Sequence, residues 1–97
     1  MVYTIEEITN ILKPILTNYD VKKAAIFGSY ARGQATDKSD VDLLITTNNV
    51  FDLEQYYNFE NDLESALRLN VDIMFYHYIN PYMLEDIKRE MVIIFEK

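Results

Sequence analysis

Two carboxylates lie two positions apart in a stretch with the pattern of a β-strand. Asp40 and Asp42 open the predicted strand Asp40–Thr46, whose first residues alternate between charged and apolar. Successive side chains of a strand point to opposite faces, so both carboxylates point the same way. Such a pair repels unless a cation lies between the oxygens, and Mg²⁺ binds through one or two carboxylates together with substrate phosphates. The spacing favours a magnesium site, with a solvated strand face as the alternative.

A third carboxylate follows the same pattern on a later predicted strand. Asp72 lies in Val71–Tyr76 and shares a face with Met74. If this strand neighbours the earlier one in suitable register, we expect Asp40, Asp42 and Asp72 to converge. Two of these carboxylates would bind metal, and the third could also take the proton of an attacking hydroxyl.

Both glycines of the chain lie shortly before these carboxylates. Gly28 follows the predicted strand Val21–Phe27, and Gly33 comes five positions later, where it is expected to allow a left-handed turn. A glycine lets a phosphate approach the backbone closely, and a helix beginning after Ser29 would offer unpaired N–H groups. The Ser29 hydroxyl adds a further donor. The segment predicts a phosphate site, although an ordinary strand-to-helix turn has the same pattern.

The rest of the sequence predicts the elements that must position these residues. Three helix starts carry capping patterns, at Thr4 with Glu7, at Asp52 with Gln55 and at Asn80 with Pro81. The predicted elements are a helix over Ile5–Leu16 that contains Pro14, strand Val21–Phe27, a short helix within Tyr30–Ala35, a polar turn over Gln34–Ser39, strand Asp40–Thr46, helix Leu53–Leu69 stopped by Asn70, strand Val71–Tyr76, helix Pro81–Met91 and strand Val92–Phe95. This order predicts one α/β domain over residues 1–97, with helices covering a sheet.

Composition excludes several classes of function. The 97 residues are 49% hydrophobic, which suits one modest core and excludes a disordered chain. A net charge of −7 argues against long nucleic acids as partners, because their affinity depends on basic residues. The absence of cysteine excludes thiolate metal sites and thiol nucleophiles, and it fits a cytoplasmic location. No signal peptide or membrane-spanning segment is expected.

The segments GSYARG, SDVDLL and VDIMFY together resemble a known family. Their order and spacing, with ten residues between Ser29 and Asp40, are similar to the minimal nucleotidyltransferase (MNT) domain of the DNA polymerase β-like superfamily. The resemblance is strongest to the MntA-type antitoxins of HEPN/MNT toxin–antitoxin pairs. It implies a mixed sheet of about four strands covered by helices. It also implies transfer of AMP from ATP to a tyrosine hydroxyl of a HEPN ribonuclease toxin, which silences the toxin.

The resemblance also implies roles for individual residues. Gly28 and Ser29 would bind the triphosphate of ATP. Asp40 and Asp42 would bind two Mg²⁺ ions, with Asp72 joining the first ion and activating the acceptor hydroxyl. The family's larger members use a second domain to hold the base or the acceptor. Here that wall would come from a partner protein or from another copy of the chain.

Two further polar residues have more than one interpretation. Arg32 could bind a phosphate or the partner, or it could pair with a carboxylate and brace the loop. Ser39 could contact the nucleotide, but its hydroxyl could equally cap a turn. His77, the only histidine, is interpreted as an ordinary residue at a strand end, since one histidine makes a poor metal site. The eight tyrosines suit either a partner interface or half-buried helix and strand faces.

Two alternative functions fit the same residues. One is an antitoxin that neutralises its toxin by binding alone, which needs the fold but not the carboxylates. The other is a small-molecule nucleotidyltransferase of the aminoglycoside-modifying type. The lack of a second domain argues against the latter, because little surface remains to enclose such an acceptor.

Overall fold

A computed structural model describes residues 2–97 as a four-stranded sheet with helices on both faces. The elements are α1 (Ile5–Asn18), β1 (Val21–Phe27), α2 (Gly28–Ala31), β2 (Val41–Thr47), α3 (Leu53–Leu67), β3 (Val71–Phe75), a 3₁₀ helix (Tyr76–Tyr78), α4 (Pro81–Glu90) and β4 (Val92–Glu96). Strand order is β3-β2-β1-β4. β1 pairs antiparallel with β2 and with β4, whereas β2 and β3 run parallel. The predicted mixed sheet covered by helices is confirmed.

All three predicted helix starts are present. In α1 the Thr4 side chain accepts the Glu7 N–H at 3.0 Å, and the Glu7 carboxylate accepts the Thr4 N–H at 2.9 Å. Asp52 and Gln55 form the same reciprocal pair at α3. Asn80 caps α4, with Pro81 as its first residue. These side chains satisfy N–H groups that have no partner within the helix, which fixes where each helix begins.

The two faces of the sheet differ in how they are covered. One face, here called the packed face, lies under α1 and α3. Its buried side chains come from both helices and from alternate strand positions: Ile8, Leu12, Leu16, Val21, Ala24, Ile26, Tyr30, Val41, Leu43, Ile45, Phe59, Leu63, Leu67 and Val71. The other face, here called the α4 face, has a small buried cluster of Ala25, Phe27, Leu44 and Ile87. The predicted inward direction of Val41, Leu43 and Ile45 is confirmed.

Several element boundaries differ from the predictions. α3 ends at Leu67 because Arg68 adopts the left-handed conformation (φ 58°), so the predicted stop at Asn70 is wrong. α1 extends to Asn18, past Pro14, although proline lacks the N–H that a helix interior uses. β3 ends at Phe75, since the chain turns into the 3₁₀ helix at Tyr76. Across residues 2–97, no helix combines the length and apolar character needed to cross a membrane.

Candidate active site

The parallel pairing of β2 and β3 places two of the predicted carboxylates side by side. In this register Asp42 lies opposite Asp72. The residues next to them in the strands, Val41, Leu43 and Val71, are buried in the packed face. Because successive side chains of a strand point to opposite faces, Asp42 and Asp72 both point to the α4 face. Asp42 is half-buried and Asp72 is exposed. The carboxylate pair therefore lies at the start of two neighbouring strands, open to solvent on one side.

The electrostatic state of Asp42 reflects this crowding. Burial raises the pKa of Asp42 to about 6, and the negative charge of Asp72, a hydrogen bond with Asp72 and the charge of Asp40 add to the rise. Arg32 acts in the opposite direction. The ionised pair is thus unfavourable in the protein alone, and a cation between the oxygens would relieve the repulsion. Carboxylate oxygens suit Mg²⁺, so the Asp42–Asp72 pair fits the ion that the family implies.

Asp40 lies outside the strand pairing that brings Asp42 and Asp72 together. It lies just before β2 begins, and its side chain is exposed. Within the part of the chain that the structure describes, no group of three or more Asp, Glu or His side chains is placed to hold a metal ion. β2–β3 pairing fixes Asp42 opposite Asp72 and leaves Asp40 in the preceding loop, although the charge of Asp40 still acts on Asp42. A joint metal-binding role of Asp40, Asp42 and Asp72 stays a prediction.

Gly28 lies directly against the Asp42 carboxylate. Phe27 is opposite Asp42 in the antiparallel β1–β2 ladder, so the chain leaving β1 passes over that side chain. A Cβ atom at Gly28 would overlap the carboxylate group, and the residue has φ +72°. Both facts require glycine here. The backbone N–H of Gly28 donates to Glu90 Oε1 at 3.2 Å, so this donor has a protein partner.

The short helix of the Ser29 segment begins earlier and ends earlier than predicted, so the predicted span of Tyr30–Ala35, starting after Ser29, is wrong. α2 covers only Gly28–Ala31, and Gly33 then turns the chain with φ +72°, as expected. A helix of one turn has a small dipole, because the macrodipole sums over aligned peptides. A phosphate at this turn would therefore depend on individual donors, chiefly the Ser29 hydroxyl and the N–H groups of α2 after Gly28. Ser29 itself is half-buried.

Arg32 and Ser39 both have protein partners in the loop between β1 and β2. Arg32 Nη1 donates to Glu90 Oε2 at 2.9 Å, and its Nε donates to Gln34 Oε1 at 3.2 Å. Of the interpretations given for Arg32, this pairing corresponds to the one in which Arg32 pairs with a carboxylate and braces the loop. The Ser39 hydroxyl accepts the Thr36 N–H at 2.9 Å, which is the turn-capping role. Nucleotide contacts of Arg32 and Ser39 stay predictions.

Two grooves flank the carboxylates. A cavity of about 440 Å³ is lined by both members of the pair and by mainly apolar side chains: Phe27, Asp42, Tyr56, Glu60, Val71, Asp72, Ile73, Met74 and Met83. A more polar groove of about 470 Å³ has Lys38, Ser39, Asp40 and Arg68 among its lining residues. Asp42 and Asp72 thus line the first cavity together with Glu60, while Asp40 lines the second.

Glu90 is a site residue that the sequence reasoning missed. It is the last residue of α4, and it contacts Gly28 and Arg32, which lie far away in the sequence. The only signal was the predicted end of a helix near Met91.

His77 lies in the 3₁₀ helix and not at a strand end, and it packs edge-on to Tyr76 with ring centroids 5.8 Å apart. Tyr57, Tyr76, Tyr78 and Tyr82 are exposed, and Tyr56 is half-buried.

Comparison with known proteins agrees with this geometry. Residues 7–97 match the family described as polymerase beta, nucleotidyltransferase. The chain belongs to this nucleotidyltransferase family. The match includes the Gly28–Ser29 turn, both members of the carboxylate pair and Glu90. As a member of the family, the chain is a transferase of the nucleotidyl-transferring type.

Individual relatives show which members of the family this chain resembles. The chain is 33% identical over 95 residues to the protein adenylyltransferase MntA of Thermococcus cleftensis, covering 94% of this chain and 96% of the relative. A toxin–antitoxin crystal structure with AMP-PNP has a TM-score of 0.81 at 19% identity, covering 92% of this chain and 73% of the other. A complex of tri-AMPylated Shewanella oneidensis HEPN toxin with MNT antitoxin has a TM-score of 0.76 at 16% identity, covering 97% and 74%. The fold is thus that of MNT antitoxins.

Proposed function

We propose that this chain is an antitoxin that transfers AMP from ATP to a tyrosine hydroxyl of a HEPN-type ribonuclease toxin. The observation that carries the proposal is the Asp42–Asp72 pair beside the Gly28–Ser29 turn, in a chain 33% identical to a protein adenylyltransferase. The AMP-PNP and HEPN complexes of structural neighbours support ATP and a HEPN protein as substrate and partner. A cytoplasmic location belongs to the same proposal.

The proposed reaction is an in-line displacement at the α-phosphorus of ATP. The acceptor oxygen forms a bond to this phosphorus, and the bond from phosphorus to the bridging oxygen of the β-phosphate breaks. Pyrophosphate leaves with the electron pair. The acceptor proton passes to Asp72, the exposed member of the pair. The chain's own residues therefore supply the base and the positioning of both reactants, which accounts for much of a typical rate enhancement.

Asp42 and Asp72 are the residues that would hold Mg²⁺, with Asp40 contributing from the preceding loop. Bound there, the ion would offset the charge that develops on the transferred phosphate. The Ser29 hydroxyl and the N–H groups of α2 that follow Gly28 would hold the triphosphate next to the pair. Arg32 lies near enough to lower the pKa of Asp42, so its positive charge also acts on this region.

The groove beside the pair supports an aromatic acceptor. Its volume is about 440 Å³, and its walls include Tyr56, Met74 and Met83 next to the two carboxylates. Thioether groups and aromatic rings make favourable contacts with a phenol ring. A tyrosine that enters this groove would bring its hydroxyl to Asp72. The carboxylates of Asp42, Glu60 and Asp72 in the same groove would also suit a cationic acceptor such as an aminoglycoside, so the acceptor found by experiment decides between the two alternatives.

Mass spectrometry of a co-expressed partner tests the proposal. The chain is produced together with the protein encoded beside its gene, which the proposal expects to be of HEPN type, and the partner's intact mass is measured. Wild-type chain should add one or more AMP groups to a tyrosine of the partner. Asp42→Asn should reduce this addition by about 10²–10³-fold, the range seen when one pre-organised charge-stabilising group is removed.

Asp86→Asn is the matched control, because Asp86 is exposed on α4 and pairs only with the neighbouring Arg89. This variant should modify the partner as the wild type does. If Asp42→Asn still neutralises the toxin fully at equal expression, binding alone is the function and the transfer proposal is wrong. If AMP appears on a residue other than tyrosine, the acceptor is wrong while the reaction class stands.

A further inference from the structure

The Glu90 carboxylate joins the end of α4 to the turn that follows β1. Its Oε1 accepts the Gly28 N–H at 3.2 Å, and its Oε2 accepts Arg32 Nη1 at 2.9 Å. Both oxygens are thus used, each by a different residue of one short segment. The Arg32 hydrogen bond and the Gly28 N–H lower the pKa of Glu90, so the group stays ionised under ordinary conditions.

This contact differs from an ordinary surface ion pair. Side chains of Arg32 and Glu90 are 46% and 27% exposed, and such a pair alone contributes little to stability. Glu90, however, also bonds a backbone N–H whose Cα lies against the Asp42 carboxylate. Gly28 is therefore held between Glu90 on one side and Asp42 on the other. Any movement of the turn would change the position of Ser29 relative to the carboxylate pair.

We propose that Glu90 is a positioning residue, which holds the Gly28–Ser29 turn against Asp42 so that the turn is ready to receive the triphosphate of ATP. The inference rests on the proposed function. Pre-positioning of this kind lowers the cost of ordering the site when the nucleotide arrives. In the opposite role, the Glu90 carboxylate would occupy the position of a phosphate and compete with it for the Gly28 N–H and the Arg32 guanidinium. The two roles predict opposite effects of removing the charge.

The test measures ATP binding as well as transfer. Glu90→Gln keeps an oxygen acceptor for the Gly28 N–H but removes the charge that Arg32 binds, and Glu90→Ala removes both contacts. We expect the Kd for Mg²⁺–AMP-PNP, measured by calorimetry, to rise in the order wild type, Gln, Ala. A rise of about ten- to a hundredfold is expected for Ala, the scale of hydrogen bonds that involve charged groups. The KM for ATP should rise more than kcat falls.

Controls separate positioning from loss of the fold. Glu85→Gln makes the same change at an exposed position of α4 and should leave the Kd unchanged. The double variant Glu90→Gln with Arg32→Gln should bind AMP-PNP about as weakly as Arg32→Gln alone, because Glu90→Gln loses only the Arg32 contact, whereas Arg32→Gln also removes the charge that acts on Asp42. Thermal unfolding of each variant should be within a few degrees of wild type, as expected for exposed groups.

Each other outcome contradicts the inference in a recognisable way. An unchanged Kd in Glu90→Ala would show that the contact is only structural. A lower Kd would show that Glu90 competes with the nucleotide. If the wild-type chain binds no AMP-PNP at all, the proposed function itself fails, and the positioning role fails with it.

Discussion

The two faces of the sheet differ in what they contain: the packed face holds most of the buried core, and the α4 face holds the candidate active site. The packed face buries fourteen side chains under α1 and α3, including aromatic contacts such as Phe51–Phe59 with centroids 5.3 Å apart. On the α4 face the buried cluster has four members, and beside it lie Asp42, Asp72 and Gly28. The apolar area that drives folding is concentrated on one side. The α4 face is therefore free to hold mutually repelling charges that a core could not tolerate.

The comparison predicts the largest loss of stability from the packed face. Phe59 is fully buried and contacts Tyr19 and Phe51. Phe59→Ala should lower the free energy of unfolding by about 3–5 kcal/mol, since it removes transfer free energy and leaves a cavity. Urea unfolding measures the change. Tyr57→Ala, at an exposed position of the same helix, should stay within about 0.5 kcal/mol of wild type. A loss below about 2 kcal/mol in Phe59→Ala would contradict the division between the faces.

A smaller effect is expected from the apolar cluster of the α4 face. Ile87 is the buried residue of α4 that anchors the helix to Ala25, Phe27 and Leu44. Ile87→Ala should cost about 2–3 kcal/mol, at the lower end for such changes because this small cluster can collapse around the gap. Hydrogen exchange should show α4 opening more often than α1 or α3. Equal protection of all three helices would mean that the two faces unfold as one unit.

Removing a charge from the α4 face should raise the free energy of unfolding, whereas the two core substitutions lower it. Because the pKa of Asp42 is raised from 3.8 to about 6, the folded state binds more protons than the unfolded state between these values. Stability of the metal-free protein therefore falls as pH rises from about 4 to about 6 and stays low above that. Asp42→Asn should raise the free energy of unfolding by about 1–2 kcal/mol at pH 7.5, allowing for solvent screening of a half-exposed group.

The pH profile is the control for this prediction. At pH 3.5 the Asn variant and the wild type should have similar stability, because Asp42 is then protonated in the folded state and mostly protonated in the unfolded state. An equal gain at pH 3.5 and 7.5 would show that the effect comes from packing and not from charge. Added Mg²⁺ should stabilise the wild type more than the variant.

The smallest effects concern two tyrosines on the packed face. Tyr3 donates its hydroxyl to the Leu67 carbonyl at 2.8 Å. The Tyr30 hydroxyl is buried, and among residues 2–97 no hydrogen-bond partner is present for it. Tyr3→Phe should cost about 1 kcal/mol, whereas Tyr30→Phe should be neutral or stabilising by up to about 1 kcal/mol. Thermal unfolding of the pair measures the difference. A comparable loss in Tyr30→Phe would indicate a bound water at that hydroxyl.

Much of this architecture follows from local patterns in the sequence. Thr4, Asp52 and Asn80 mark helix starts because a cap needs only residues within one turn. The alternation of Val41, Leu43 and Ile45 identifies the buried face of β2 without further information. The Gly-Ser and Asp-x-Asp spacing identifies the family for the same reason, since the motif lies in one continuous segment.

Other features depend on contacts that no local pattern contains. Arg68, and not Asn70, takes the left-handed conformation that ends α3, although asparagine has the better intrinsic preference for it. Asp40 lies outside the strand because β2 and its pairing with β3 begin at Val41. Glu90 reaches Gly28 only because β4 and α4 fold back over β1. Each of these is decided by tertiary packing, which overrides the preference of the single residue.

The parallel pairing of β2 with β3 has a kinetic consequence. These strands are separated along the chain by the whole of α3, so their contact forms at a higher loop-closure cost than the neighbouring β1–β2 pairing. We therefore expect the Asp42–Asp72 repulsion to arise after the β1–β2 pairing has formed. Interactions that form after the rate-limiting step act on the unfolding rate. Stopped-flow unfolding should show Asp42→Asn unfolding more slowly than wild type at an unchanged folding rate, so a ligand that neutralises the pair would prolong the lifetime of the native state.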